Sequence, residues 1–80
     1  MGHARRRPKR LAEKLKQIRE HFGLSQAELT RKLGLDISYM NLSKFELDKN
    51  EPDLFVLMAY ARFAGVSLIQ LADDELDLML

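Results

Sequence analysis

Three observations on this chain predict a compact all-α domain of five short helices. Apolar residues recur at helical spacing, as in Leu11, Leu15, Ile18 and Phe22, and no stretch alternates with period two. Ser25, Ser38, Asp53 and Ser67 each stand just before such a run, where helix N-caps belong. Gly23, Gly34 and Gly65 stand where three of the runs end. The 80 residues leave room for one domain with a small core.

The elements follow in order. The first helix carries the Leu11–Phe22 stripe, with Pro8 placed in its first turn and Gly23 after its end. The second opens on a capping box, Ser25 with Glu28 three residues on, and on a staple formed by Leu24 and Leu29. It runs to Leu33 and stops at Gly34. The third opens at Ser38. At about 100° per residue, Leu42 and Phe45 face inward, while Tyr39, Met40, Ser43 and Lys44 share the opposite side. Residues 48–52 form a loop, and Asp53 caps a fourth helix through Ala64. Ser67 caps a fifth, with Val66 and Leu71 as a second staple.

The formal net charge of +1 conceals an uneven distribution. Residues 1–20 hold eight Lys and Arg against two Glu, a local +6; residues 21–53 hold four against six, a local −2. Residues 54–80 hold Arg62 alone against four acids, a local −3. A basic end of this kind suits a polyanionic partner, with a merely solvated arm as the competing reading. Three segments are expected: a basic arm (1–8), a folded domain (9–74) and an acidic, Leu-rich tail (75–80).

Composition also excludes. There is no cysteine, and His3 and His21 have no zinc-like spacing, so neither a metal nor a cofactor is expected. No nucleophile–base set or phosphate loop is present, which argues against an enzyme. The longest apolar run, residues 54–61, is too short to span a bilayer, and no apolar segment follows the basic N-terminus as a secretory signal would require.

Residues 25–52 read SQAELTRKLGLDISYMNLSKFELDKNEP. The segment resembles the Cro/repressor-type, or XRE, helix-turn-helix family, whose pattern is roughly S-Q-x-x-L-A-x-x-x-G-V-S-x-x-x-I-S-x-I-E-x-G-x-x-x-P. Ser25, Gln26, Leu29, Gly34, Leu42, Ser43, Phe45, Glu46 and Pro52 match in type. The likeness extends from about residue 9 to residue 73. Three departures stand out. The turn after Gly34 is two residues longer, through Leu35-Asp36-Ile37; Thr30 replaces alanine at the helix–helix contact; Asp48 replaces the glycine after the third helix.

The resemblance implies a lambda-repressor-like five-helix fold that reads double-stranded DNA, a cytoplasmic regulator of bacterial or phage transcription associated with the nucleoid. It places Ser38, Tyr39, Met40, Asn41, Ser43 and Lys44 on the recognition helix, with Lys49 just beyond it. Gln26 takes the place of a glutamine that contacts phosphate and steadies that helix, and Arg19 is expected to pair with Glu46. The arm residues Arg5, Arg6, Arg7, Lys9 and Arg10 would reach phosphates or an adjacent minor groove. The competing placement puts Tyr39 and Met40 in the core, covering the enlarged turn.

The fourth helix has one charged residue, Arg62, and is apolar on every side, so it calls for a second buried face. Phe55, Ala59 and Arg62, joined by Leu76 and Leu78, are expected to form a homodimer or partner interface. The alternative is a tail folded back over this stripe within one chain. Two functions therefore compete: a dimeric, sequence-specific DNA-binding regulator, and a protein-interaction module of the antitoxin or adaptor kind. The expected partners are double-stranded DNA and a second copy, with a protein partner in the competing reading and no membrane.

Overall fold

In the computed structural model, which describes residues 8–80, five helices follow one another. They are α1 (Leu11–His21), α2 (Gln26–Leu33), α3 (Tyr39–Glu46), α4 (Leu54–Ala64) and α5 (Leu68–Ala72), with no strand among the described residues. Their starts are set by side chains. Ser25 Oγ accepts from the Glu28 amide at 3.1 Å while the Glu28 carboxylate accepts from the Ser25 amide at 2.8 Å. Ser67 and Gln70 repeat that arrangement on α5, and Asp53 accepts from the Val56 amide at 3.0 Å on α4.

The ends are equally local. Gly34 takes φ +69°, a left-handed conformation that stops α2 and frees the chain for the turn. After α3 the same role falls to Asp48, at φ +58°. The Lys49 amide donates to the Lys44 carbonyl and the Asp48 amide to that of Phe45, a Schellman closure built without glycine. Asp is one of the few side chains that tolerate this region, so the departure from glycine leaves the closure intact.

One face of every helix meets in the core. Leu15, Ile18, Leu29, Leu42, Tyr60 and Leu71 are fully buried, with Phe45, Val56 and Val66 around them. Leu35 and Ile37 pack against this core from the enlarged turn. The two extra residues are thus anchored by their own apolar side chains, and the turn needs no cover from α3. The added hydroxyl of Thr30 donates to the Gln26 carbonyl at 2.8 Å, so it is satisfied inside α2 and asks nothing of α3.

Two expectations need correction at the chain ends. Pro8 precedes the first helix by a short bend, and α1 starts at Leu11 behind Arg10. The reason lies in the C-terminal segment. Asp74 accepts from the backbone amides of Lys9 and Arg10, both at 2.9 Å, and so holds the chain short of the helix. Arg10 also donates to the Asp74 carbonyl and forms an ion pair with Asp77. Residues 75–80 are therefore no detached tail: Leu78 lies in the core, 9% exposed. Its assignment to an intermolecular surface fails because the chain folds it inward.

Lys14 completes this clamp. It sits on the apolar stripe of α1, 1% exposed, and its Nζ donates to the carbonyls of Gln70 (2.6 Å) and Asp73 (2.8 Å). A cation there satisfies the last carbonyls of α5 and opposes the negative end of its dipole. Burial, ahead of repulsion from Arg10, pulls its pKa below the ordinary lysine value.

The clamp carries a pH dependence of fixed sign. Hydrogen bonds from the Lys9 and Arg10 amides hold the Asp74 carboxyl below its ordinary value, and the Arg10 guanidinium does the same for Asp77. A carboxylate whose pKa is depressed by folding stabilises the domain above the unfolded value, about 3.9, and that stability is lost as pH falls through the folded value. Unfolding followed by circular dichroism from pH 7 to pH 2 should therefore show a decline below about pH 4. In Asp74→Asn/Asp77→Asn the decline should be shallower, with Glu28 contributing in the same sense. An unchanged acid profile in that variant would show that the clamp does not operate in solution.

Candidate nucleic-acid interface

The candidate surface is built around α3, and its position is fixed from beneath. Arg19 on α1 makes two parallel bonds to Glu46 on α3, Nε to Oε2 at 2.8 Å and Nη2 to Oε1 at 2.9 Å. Its other Nη donates to the Leu24 carbonyl at 3.1 Å. The Glu46 side chain is 4% exposed and that of Arg19 18%, so the pair is largely removed from water. Hydrogen bonding to Glu46 outweighs burial and raises the Arg19 pKa further. The expected pairing is present, and it ties the end of α3 to α1.

Gln26, the first residue of α2, is half-buried, and its Nε2 lies 3.4 Å from Glu46 Oε1. One carboxylate thus joins α1, α2 and α3. Tyr60 lies beneath, fully buried, and its hydroxyl has no hydrogen-bond partner among the described residues. Burial, and secondarily Glu46, keeps that hydroxyl protonated at any ordinary pH.

Above this support, the outer face of α3 is open. Tyr39 is 54% and Met40 57% exposed, so neither serves as cover for the turn. One helical turn further on, Ser43 is half-buried and Lys44 exposed. The four side chains form a continuous strip at i and i+4 spacing, with Leu42 and Phe45 buried behind it. Ser38 is exposed at the start of the strip, and Lys49 is exposed in the loop after it.

Asn41 also has an employment within the helix. Its side-chain carbonyl accepts from the Ser38 backbone amide and from the Ser38 hydroxyl, both at 3.0 Å. The two residues hold the start of α3 between them, and the Asn41 oxygen is therefore occupied within the helix. The Ser-x-x-Asn spacing was the available signal, a shortened form of the capping box found at Ser25.

The basic arm divides. Arg5, Arg6 and Arg7 lie outside the described residues. Lys9 is exposed, but Arg10 is engaged with Asp74 and Asp77 and is not a free cation. The local +6 of the first twenty residues is likewise reduced, because Arg10, Lys14 and Arg19 all have partners inside the fold. Long-range contacts of this kind leave no periodic trace; only the position of Lys14 on an apolar stripe hinted at them.

The second surface lies on α4. Phe55 is 74% exposed, Arg62 is exposed and Ala59 half-buried. Leu76 is partly exposed, whereas Leu78 is not available. No helix among the described residues is long and apolar enough to cross a membrane.

Comparison with known proteins gives a consistent outcome. A helix-turn-helix family model matches residues 15–71. The chain is similar to the P22 c2 repressor protein, whose crystal structure is in complex with synthetic operator 9T in the presence of Tl+. Identity is 23% and the TM-score 0.71, over 80% of this chain and 94% of that one. It is also similar to the hypothetical transcription factor NHTF from Neisseria, with 27% identity and a TM-score of 0.68 over 92% of both chains. No curated protein sequence matches. The family match runs from Leu15 on α1 to Leu71 on α5 and contains α2, the turn and α3 entire, so the chain belongs to the helix-turn-helix family.

Proposed function

We propose that this chain binds double-stranded DNA sequence-specifically and regulates transcription by occupying its sites. The observation that carries the reading is the open strip of Tyr39, Met40, Ser43 and Lys44 on a helix locked from below by Arg19, Gln26 and Glu46. A helix of this size fits the major groove, where Lys44 can donate to guanine, Ser43 to either partner of a pair, and Met40 can pack on a thymine methyl. Lys49, and Gln26 through its side-chain amide, would contact phosphates and set the register. The operator complex of the P22 c2 repressor supports the same use of this fold.

Dimerisation through α4 belongs to the proposal, with half-sites about 34 Å apart. A second reading, the protein-interaction module, is favoured by one observation, the exposed apolar surface of α4.

Duplex binding as a function of salt separates the two. For a DNA reader, log affinity should fall linearly with log salt, with a slope of about −0.9 for each phosphate neutralised. Weak binding that does not respond to salt would favour the interaction module. Unchanged DNA affinity in both Lys44→Ala and Gln26→Ala would refute the assignment of α3 to the groove.

A further inference from the structure

Two exposed apolar surfaces of this chain carry opposite charge, and we infer that they pair between two copies. Residues 75–80 of one copy seat in the groove between the end of α2 and α4 of the other, and the exchange is reciprocal. The inference rests on the dimeric reading of α4 given above and names its occupant.

The groove is lined by Leu35, Phe55, Met58 and Ala59, with Lys32 and Arg62 beside them. Phe55 leaves three-quarters of its surface in water, and Leu54 next to it is 58% exposed. A contiguous apolar surface of this kind is characteristic of an interaction site. Lys32 and Arg62 make no ion pair or hydrogen bond among the described residues, so their charge is available to a partner.

The complement is present on the same chain. Leu76, Met79 and Leu80 are 40%, 76% and 41% exposed, and the exposed Glu75 stands beside them, while Asp77 is already paired with Arg10. This segment is already ordered, because Leu78 is anchored in the core and Arg10 holds Asp77. Docking it therefore loses little conformational entropy. The obvious rival, α4 against α4 of a second copy, would bring Lys32 and Arg62 toward their own equivalents. Like charges disfavour that arrangement, whereas an acidic occupant is attracted. Reciprocal exchange buries both surfaces twice and closes the assembly as a two-fold dimer.

Sedimentation equilibrium on the full chain tests this with two variants, Phe55→Ser in the groove and Leu76→Ser/Met79→Ser in the segment. Both alter exposed side chains, so circular dichroism should show them folded. The wild type should dimerise, and each variant alone should associate about tenfold more weakly or worse. An equimolar mixture should recover part of the association, because one of the two groove–segment contacts is then intact, whereas neither is in either variant alone. A monomeric wild type at high concentration would overturn the dimeric reading and the inference together. A segment variant as dimeric as the wild type, with Phe55→Ser monomeric, would overturn the inference alone.

Discussion

Arg19→Ala is expected to destabilise the domain by about 3 kcal/mol. Breaking a buried ion pair from one side typically costs about 3–5 kcal/mol, since the remaining charge is left without compensation. Here Glu46, 4% exposed in its side chain, would keep among the described residues the 3.4 Å hydrogen bond from Gln26, while the residual exposure of Arg19 places the cost at the low end. For a domain of this length each kcal/mol corresponds to about 4–8 °C in Tm, so the midpoint should drop by about 12–24 °C. Arg19→Lys should fall between, because an ammonium keeps the charge but not the two parallel bonds. Removing both charges, in Arg19→Met/Glu46→Leu, should recover much of the loss. Thermal melts of the four proteins suffice. A loss below about 0.5 kcal/mol for Arg19→Ala would mean that the pair does not fasten α3 to α1.

Ser43→Ala/Lys44→Ala should behave in the opposite way. Lys44 is exposed and Ser43 half-buried, and neither side chain makes a hydrogen bond among the described residues. Stability should therefore stay within about 0.5 kcal/mol of the wild type. Binding to a preferred duplex should weaken by about 1–3 kcal/mol for each side chain removed from a base edge, so by at least about thirtyfold for the pair. The contrast between the two variants separates the support of α3 from its reading surface.

The helices were legible because their signals are local. Ser25 with Glu28 specifies its own start over four residues and Ser67 stands as a cap by itself; the structure forms a box at both, the second with Gln70. The direction faced by α3 followed from Leu42 and Phe45, since a helix that buries those two must expose Tyr39 and Met40. The Arg19–Glu46 pair, which joins residues 27 positions apart, was legible only through the family resemblance.

The clamp at the chain ends was not legible. Arg10 and Asp77 are 67 residues apart, and no periodicity or spacing rule relates them. The sequence did show a basic start and an acidic end, but as separate segments facing different partners. In the fold they meet, Asp74 and Asp77 on Arg10, and the Gln70 and Asp73 carbonyls on Lys14. Part of the charge attributed to a DNA-seeking arm thus holds the domain together. Asn41 illustrates the same limit at short range: the contact by which its oxygen closes the helix start was not read from its position on α3.

The central claim is that the α3 strip reads base edges. Selection of bound sequences from a random duplex pool, run on the wild type, on Ser43→Ala/Lys44→Ala and on Lys49→Ala, tests it most directly. The wild type should return a defined half-site, the first variant should lose preference at particular positions within it, and Lys49→Ala should keep the preference while binding all sequences more weakly. A half-site returned unchanged by Ser43→Ala/Lys44→Ala would contradict the account.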